Sequence, residues 1–146
     1  MSTATAPLQD DRIRLVEEHC RVENAHDLAG IMATFGEQPM FALNGAEFNG
    51  REMVAALYGG FGFGGPGSFS DLHLAVGTRH VNDETIILEL VLSGRHTGEW
   101  MGIAATGKEF QVPLCAIFTF DHAGKLAGER VYFDSGIVLR QLGAAA

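Results

Sequence analysis

Apolar residues recur at helical spacing through the first third of the chain and at alternate positions through its second half, which predicts helices followed by strands. Ile13, Val16 and Cys20 make one stripe of a first helix over 10–24, with Asp10 and Asp11 suited to its positive N-terminus. Ala25-His26-Asp27 breaks that helix. Leu28, Ile31, Met32 and Phe35 then give a short amphipathic second helix, which Gly36 and Pro39 are expected to end. A short strand over 40–43 leads to the turn Asn44-Gly45. Asn49 and Glu52 read as a capping box opening a third helix through Tyr58, with Met53, Ala56 and Leu57 as its buried stripe. Residues 59–67, GGFGFGGPG, hold six glycines in nine positions and predict a mobile loop, a flap made adhesive by Phe61 and Phe63. Strands are expected over 71–76, 85–93, 94–102 (continuing or re-pairing the one before), 109–120 and 125–133. A terminal helix over 137–142 is capped by Asp134 or Ser135 and stopped by Gly143. Helices first and strands after imply one segregated α+β domain over residues 1–146, with the first eight residues frayed.

Composition narrows the functional classes. The chain has 47% hydrophobic residues, with ten Phe and a single Trp, a rich apolar supply for a small domain. Part of that supply suits the wall of a cavity. Ten basic against 18 acidic residues give a net charge of -8, which repels phosphate backbones and argues against nucleic-acid binding. No stretch approaches the roughly 18 apolar residues that a bilayer requires, so no membrane association is expected. The acidic N-terminal region has no apolar core of a secretory signal, and two cysteines, Cys20 and Cys115, make a poor disulfide framework. A reduced, cytoplasmic protein is the expectation.

The second half carries the segment Ser93–Gly102, SGRHTGEWMG, then Thr106-Gly107-Lys108, Gly124-Lys125 and the ending Leu139-Arg140-Gln141-Leu142-Gly143. In residue type, spacing and order these resemble the SnoaL-like polyketide cyclases, a branch of the NTF2-like superfamily. The resemblance runs over roughly residues 10–143 and includes HDLAGIMATF and Asn49-Gly50-Arg51-Glu52. It implies an α+β cone with helices packed on a curved antiparallel sheet around an apolar pocket, a homodimer formed across the outer sheet face, a small apolar ligand, and cyclase or isomerase chemistry without metal or organic cofactor. The family's acid/base aspartate on the last strand falls here at Val131, its pocket histidine at Ala116 and that histidine's glutamine partner at Leu114.

Strand parity then selects the candidates, because neighbouring side chains point to opposite faces. With Val131 inward, Glu129 and Phe133 are inward too. With Leu114 and Ala116 inward, so is Phe118. Ile86, Leu88, Leu90 and Leu92 share a face that His96 extends. Glu129 and His96 are thus the candidate acid/base pair: a carboxylate in an apolar wall has its pKa raised toward neutrality. Tyr58, Asn44 and Trp100 are candidate ligand contacts, with Leu114, Ala116, Phe118, Val131 and Phe133 as wall. His26-Asp27 reads as a helix cap. The six histidines show no metal-ligand spacing, and Gly60-x-Gly62-x-x-Gly65 lacks the strand–loop–helix context of a dinucleotide fingerprint. Two functions follow: a cyclase or isomerase acting on a small apolar carbonyl compound or ester, or a non-catalytic binder of an apolar metabolite. A third possibility is a purely structural dimer whose cone is filled by its own side chains.

Overall fold

The computed structural model describes residues 6–144. Helix α1 spans Ala6–Asn24 and α2 Leu28–Thr34. Strands β1 (Phe35–Leu43) and β2 (Ala46–Asn49) form a hairpin, and α3 (Arg51–Phe61) leads back to the sheet. β3 (Phe69–Val81), β4 (Thr85–His96), β5 (Glu109–Phe120) and β6 (Leu126–Phe133) follow, with α4 (Ser135–Gln141) last. The six strands run in the order β2-β1-β6-β5-β4-β3. All neighbours are antiparallel except β1 and β6, which pair parallel. The helices lie on one face of this curved mixed sheet, the α+β arrangement expected.

Several boundaries move for physical reasons. Residues 6–8, expected to be frayed, are already helical, while residues 1–5 of that segment lie outside the described residues. Gly36 and Pro39 do not terminate α2; both lie inside β1. A Cβ on Gly36 would come within 2.0 Å of the Asp121 carboxylate, so the strand needs a glycine where it passes the β5–β6 turn. Pro39 falls in the register shift between Phe35 and Met40, where no ladder N–H is required. Asn49 does not cap α3, because it is committed to β2 opposite Met40. The N-cap is Gly50, without a side-chain hydrogen bond. The buried stripe of α3 is Val54 and Tyr58, whereas Met53 is 51% exposed. Arg51 fixes the start of α3 by donating to the carbonyls of Met32, Phe35 and Gly36. Asp27 caps α2 through Gly30 N–H, and His26 Nε2 donates to Leu72 O, both structural roles.

The glycine-rich segment is more ordered than expected. Gly59, Gly60 and Phe61 form the last turn of α3, and 62–68 folds tightly back on it. Thr97 and Gly98 N–H both donate to Ser68 O, and Ser68 Oγ donates to Glu99 O, tying this segment to the 97–108 loop. A Cβ on Gly67 would meet Gly62 N at 2.6 Å, Gly60 O at 2.7 Å and Gly59 O at 2.8 Å. Gly67→Ala is therefore expected to destabilise the fold by more than about 1 kcal/mol, read as a lower urea midpoint. An unchanged midpoint would show that this loop is not packed as described.

The core fills the concave side of the sheet. Register sets its rows: Leu88, Ala116 and Val131 stand abreast, as do Leu90, Leu114 and Phe133, and Ile86, Phe118 and Glu129. Val16, Ile31 and Val54 from the helices close over them, each at most 1% exposed. The outer face carries the other parity, including Glu89, Val91, Cys115 and Tyr132. No described helix is long and apolar enough to cross a membrane.

Candidate active site

Five polar side chains meet at the centre of the domain, none more than 4% exposed: His19 and Glu23 from α1, Thr34 from α2, Tyr58 from α3 and Glu129 from β6. His19 and Glu23 stand four residues apart and so share the helix face that carries Val16 and Cys20. Around them are apolar rings. His19 meets Phe35 and Phe118 edge-on with centroids at 5.4 Å.

The hydrogen bonds assign the protons. The Thr34 hydroxyl donates to Ile31 O at 2.6 Å, so its oxygen accepts from His19 Nδ1–H at 2.8 Å. Tyr58 OH donates to Glu129 Oε1 at 2.6 Å, a short bond of the charge-assisted kind. His19 Nε2 faces Glu23 Oε1 at 2.6 Å, Glu129 Oε1 at 3.1 Å and the Tyr58 oxygen at 3.1 Å. With two carboxylates around it, the imidazole carries a proton on both nitrogens. Burial opposes that charge, but Glu23 and Glu129 together outweigh it and raise the His19 pKa to about 10.

The two carboxylates are not equivalent. One Nε2–H cannot align with both, and Glu23 Oε1, though in close ion contact, has no aligned hydrogen bond. Burial pushes the Glu23 carboxyl up, His19 pulls it partly back, and Glu129 pushes it up again. Glu129 is instead held by two donors, Tyr58 and His19. Burial, then the Glu129 charge, lift Tyr58 well above its ordinary value, so it stays a phenol and a donor. The cluster thus holds one cation against two carboxylates, and Glu23 is the one without an aligned donor, its pKa raised by burial.

Glu23, Tyr58 and Glu129 open onto a cavity of about 50 Å³, room for a few water molecules. The rest of its wall is apolar and comes from six elements and the glycine-rich loop: Phe41, Leu43, Leu57, Phe61, Phe63, Leu74, Leu92, Leu114, Val131 and Phe133. His19, Glu23 and Glu129 also place three ligand atoms within 4.8 Å of one another, a set that could hold a divalent cation. Such an ion would have to displace the Nε2 proton, which the carboxylates retain to about pH 10.

Of the residues singled out from the sequence, Glu129, Tyr58, Leu114, Val131 and Phe133 line this cavity. Ala116 and Phe118 are buried beneath it without joining its lining. His96 lies in another cluster: its Nδ1 accepts from Thr106 N–H at 3.2 Å, its ring packs on Phe69, and its buried Nε2 has no partner. Asn44 accepts from Phe133 N–H at 3.0 Å, bracing the end of β6. Trp100 borders a second cavity of about 10 Å³. Sequence reasoning passed over His19, Glu23 and Thr34. The available signal was that His19 and Glu23 continue the Val16–Cys20 stripe, putting ionisable groups where an amphipathic helix should be apolar.

Comparison with known proteins follows the same lines. A search of curated proteins by sequence finds no match. Solved structures match over nearly the whole chain. TsrD from Streptomyces laurentii is 25% identical with a TM-score of 0.79, covering 93% of this chain and 97% of that one. A candidate polyketide cyclase from Xanthomonas campestris pv. campestris is 20% identical with a TM-score of 0.82, covering 92% and 98%. A protein with a ketosteroid isomerase-like fold from Catenulispora acidiphila is 15% identical with a TM-score of 0.73, covering 88% and 92%, and shares the fold. The sequence pattern of the SnoaL-like polyketide cyclases matches residues 67–142, more than half the chain. This chain belongs to the SnoaL-like polyketide cyclase family.

Proposed function

We propose that the chain is a general acid–base enzyme of cyclase or isomerase type, which moves a proton on the carbon beside the carbonyl of a small apolar compound. The observation that carries this reading is the Glu23 carboxyl, raised by burial, on the wall of an apolar cavity beside a Tyr58 phenol that cannot ionise. In the first step the Glu23 carboxylate takes the α-proton, the C–H pair moves into the C–C bond, and the carbonyl oxygen becomes an enolate. Tyr58 O–H is the donor on the cavity wall for that oxygen, turning to it from Glu129 Oε1, while His19 stands behind the wall as the positive charge beside it. The enolate then attacks a second carbonyl, closing a ring, and the alkoxide so formed takes the proton back from Glu23; in an isomerisation the enolate recovers that proton at another carbon. Val131 occupies the place of the family's acid/base aspartate, so on this reading the proton-transfer carboxyl comes from α1 instead of the last strand.

The test is deuterium uptake by small methyl ketones such as 2-butanone in D2O, followed by proton NMR. The protein should accelerate exchange at the α-carbon, and Tyr58→Phe should lower that rate about 10²-fold, the usual loss for one oxyanion donor. A wild-type rate equal to buffer alone would refute the reading. It would favour a binder of apolar metabolites, for which the otherwise wholly apolar lining speaks; native mass spectrometry of purified protein would then reveal the retained ligand. We extend the proposal to a homodimer through the outer sheet face, where Val91 and Tyr132 are 39% and 43% exposed. Sedimentation as a monomer would remove that extension.

A further inference from the structure

Two cavities share a wall. The one at Glu23 and Glu129 and the one at Trp100 are both lined by Phe61, Leu92 and Phe133. The second is completed by Phe69, Trp100, Phe110 and Val138, and its wall exposes only carbon. We propose that the two are halves of one elongated ligand site, with Phe61, Leu92 and Phe133 as a partition that a long ligand displaces. The proposal rests on the reading of the Glu23 end as the reacting end and names the substrate class: an uncharged carbonyl compound bearing an extended hydrocarbon tail or flat ring that passes under Trp100.

The partition is built to yield. As it stands the first cavity is far smaller than an ordinary ligand pocket, so a substrate must gain space somewhere. The side chains with freedom to give it are the half-buried Phe61 and Phe133. Phe61 is the last residue of α3, preceded by Gly59 and Gly60 and followed by Gly62 in the left-handed region. Two glycines in the final turn weaken the helix there by about 1 kcal/mol each. No heavy atom lies within 4 Å of a Cβ built on Gly60, so the outer side of that turn is open; its carbonyls stay held by Ser68 N–H and the close approach of Gly67, and the part free to yield is the Phe61 side chain. Phe61 stacks on Phe69, whose ring also meets Trp100 at 5.3 Å and Phe110 at 4.9 Å. Rotating Phe61 away therefore uncovers an aromatic surface that is already assembled. On the opposite side, Phe133 ends β6 directly before the Asp134 cap of α4, and Val138 of that helix floors the second cavity. A tail entering here meets only carbon, so a chain oxygenated along its length would lose its hydration without replacement.

Trp100 is the only tryptophan, which makes its emission a reporter of the second half alone. The experiment titrates the full chain with unbranched methyl ketones from 2-butanone to 2-undecanone, reading affinity by calorimetry and Trp100 emission in parallel. Short ketones should bind without altering the emission. Beyond a threshold length the emission should change, and each further methylene should tighten binding about fourfold. Val138→Ile, which adds one methyl to the floor of the second cavity, should weaken long ketones several-fold and leave short ones unaffected. Phe133→Ala, which thins the partition, should tighten long ones. Binding of short ketones with no emission change at any length, or Val138→Ile acting equally on all lengths, overturns the elongated site while leaving the acid–base reading intact. Failure of every ketone to bind overturns both. Emission changes and a length threshold without deuterium exchange would support the elongated site and overturn the acid–base reading.

Discussion

Replacing His19 with leucine should cost about 3–5 kcal/mol of stability at pH 7, the size of loss seen when one partner of a buried ion pair is removed. The imidazolium is the only cation hydrogen-bonded within the cluster, and without it Glu23 and Glu129 face each other across an apolar interior. The pH dependence identifies the cause. Folded, His19 keeps its proton to about pH 10, against an ordinary value of 6.5. A raised folded pKa gives stability that is fully present below the unfolded value and is lost as pH climbs through the folded one. The wild-type urea midpoint should therefore fall between about pH 6.5 and 10. The raised Glu23 carboxyl adds a loss in the same direction, beginning above its ordinary 4.5. In His19→Leu the fall across the histidine window should flatten, and the deficit should shrink at low pH, where a carboxyl can take a proton. Adding Glu23→Gln to His19→Leu should recover part of the loss at pH 7. A His19→Leu protein with the wild-type midpoint at pH 7, or with the same slope from pH 6.5 to 10, would mean that the imidazole is not the charge that holds these carboxylates.

The sequence made one half of this site visible and hid the other. On β6 the period of two puts Glu129, Val131 and Phe133 on one face, and the register with β5 places that face inward. Parity is a local property, so a single sequence carries it. His19 and Glu23 are local as well, one helical turn apart. Their meaning is not: His19 meets Glu129 across 110 residues, and only the packing of α1 over the sheet makes that contact. His96 sits at the end of a correctly phased strand, yet the chain turns into the 97–108 loop there, and the ring is claimed by Thr106 and Phe69. The errors in the helical third share a cause. Gly36, Pro39 and Asn49 carry strong local signals for stops and caps. The parallel pairing of β1 with β6 and the hairpin of β1 with β2 override them, because non-local strand pairs satisfy more backbone groups than a cap does. The fold survived these errors because it depends on the order of elements, which alternation and helical period fix better than boundaries.

Glu23→Gln should reduce α-proton exchange by about 10²–10⁴-fold, the range supplied by a positioned acid or base, and should leave the fold as stable or firmer. The two expectations have one origin. The cluster holds two carboxylates and one imidazolium, and Glu23 is the carboxylate without an aligned donor. Making it an amide removes the surplus charge and leaves His19 paired with Glu129 alone. Glu129→Gln should do the reverse. It takes the charged acceptor from both Tyr58 O–H and His19 Nε2–H, so it should lower stability by about 1–3 kcal/mol, and its effect on exchange should come through loosened donors. The pH profile separates the roles further. Proton abstraction needs Glu23 ionised, so wild-type exchange should rise with pH through a midpoint above the ordinary 4.5, the direction in which burial moves this carboxyl. Glu129→Gln should keep that rise while lowering the plateau, and Glu23→Gln should abolish it. If instead Glu129→Gln flattened the profile and Glu23→Gln preserved it, the proton would travel on the strand carboxylate, and α1 would serve only to hold the charge in place.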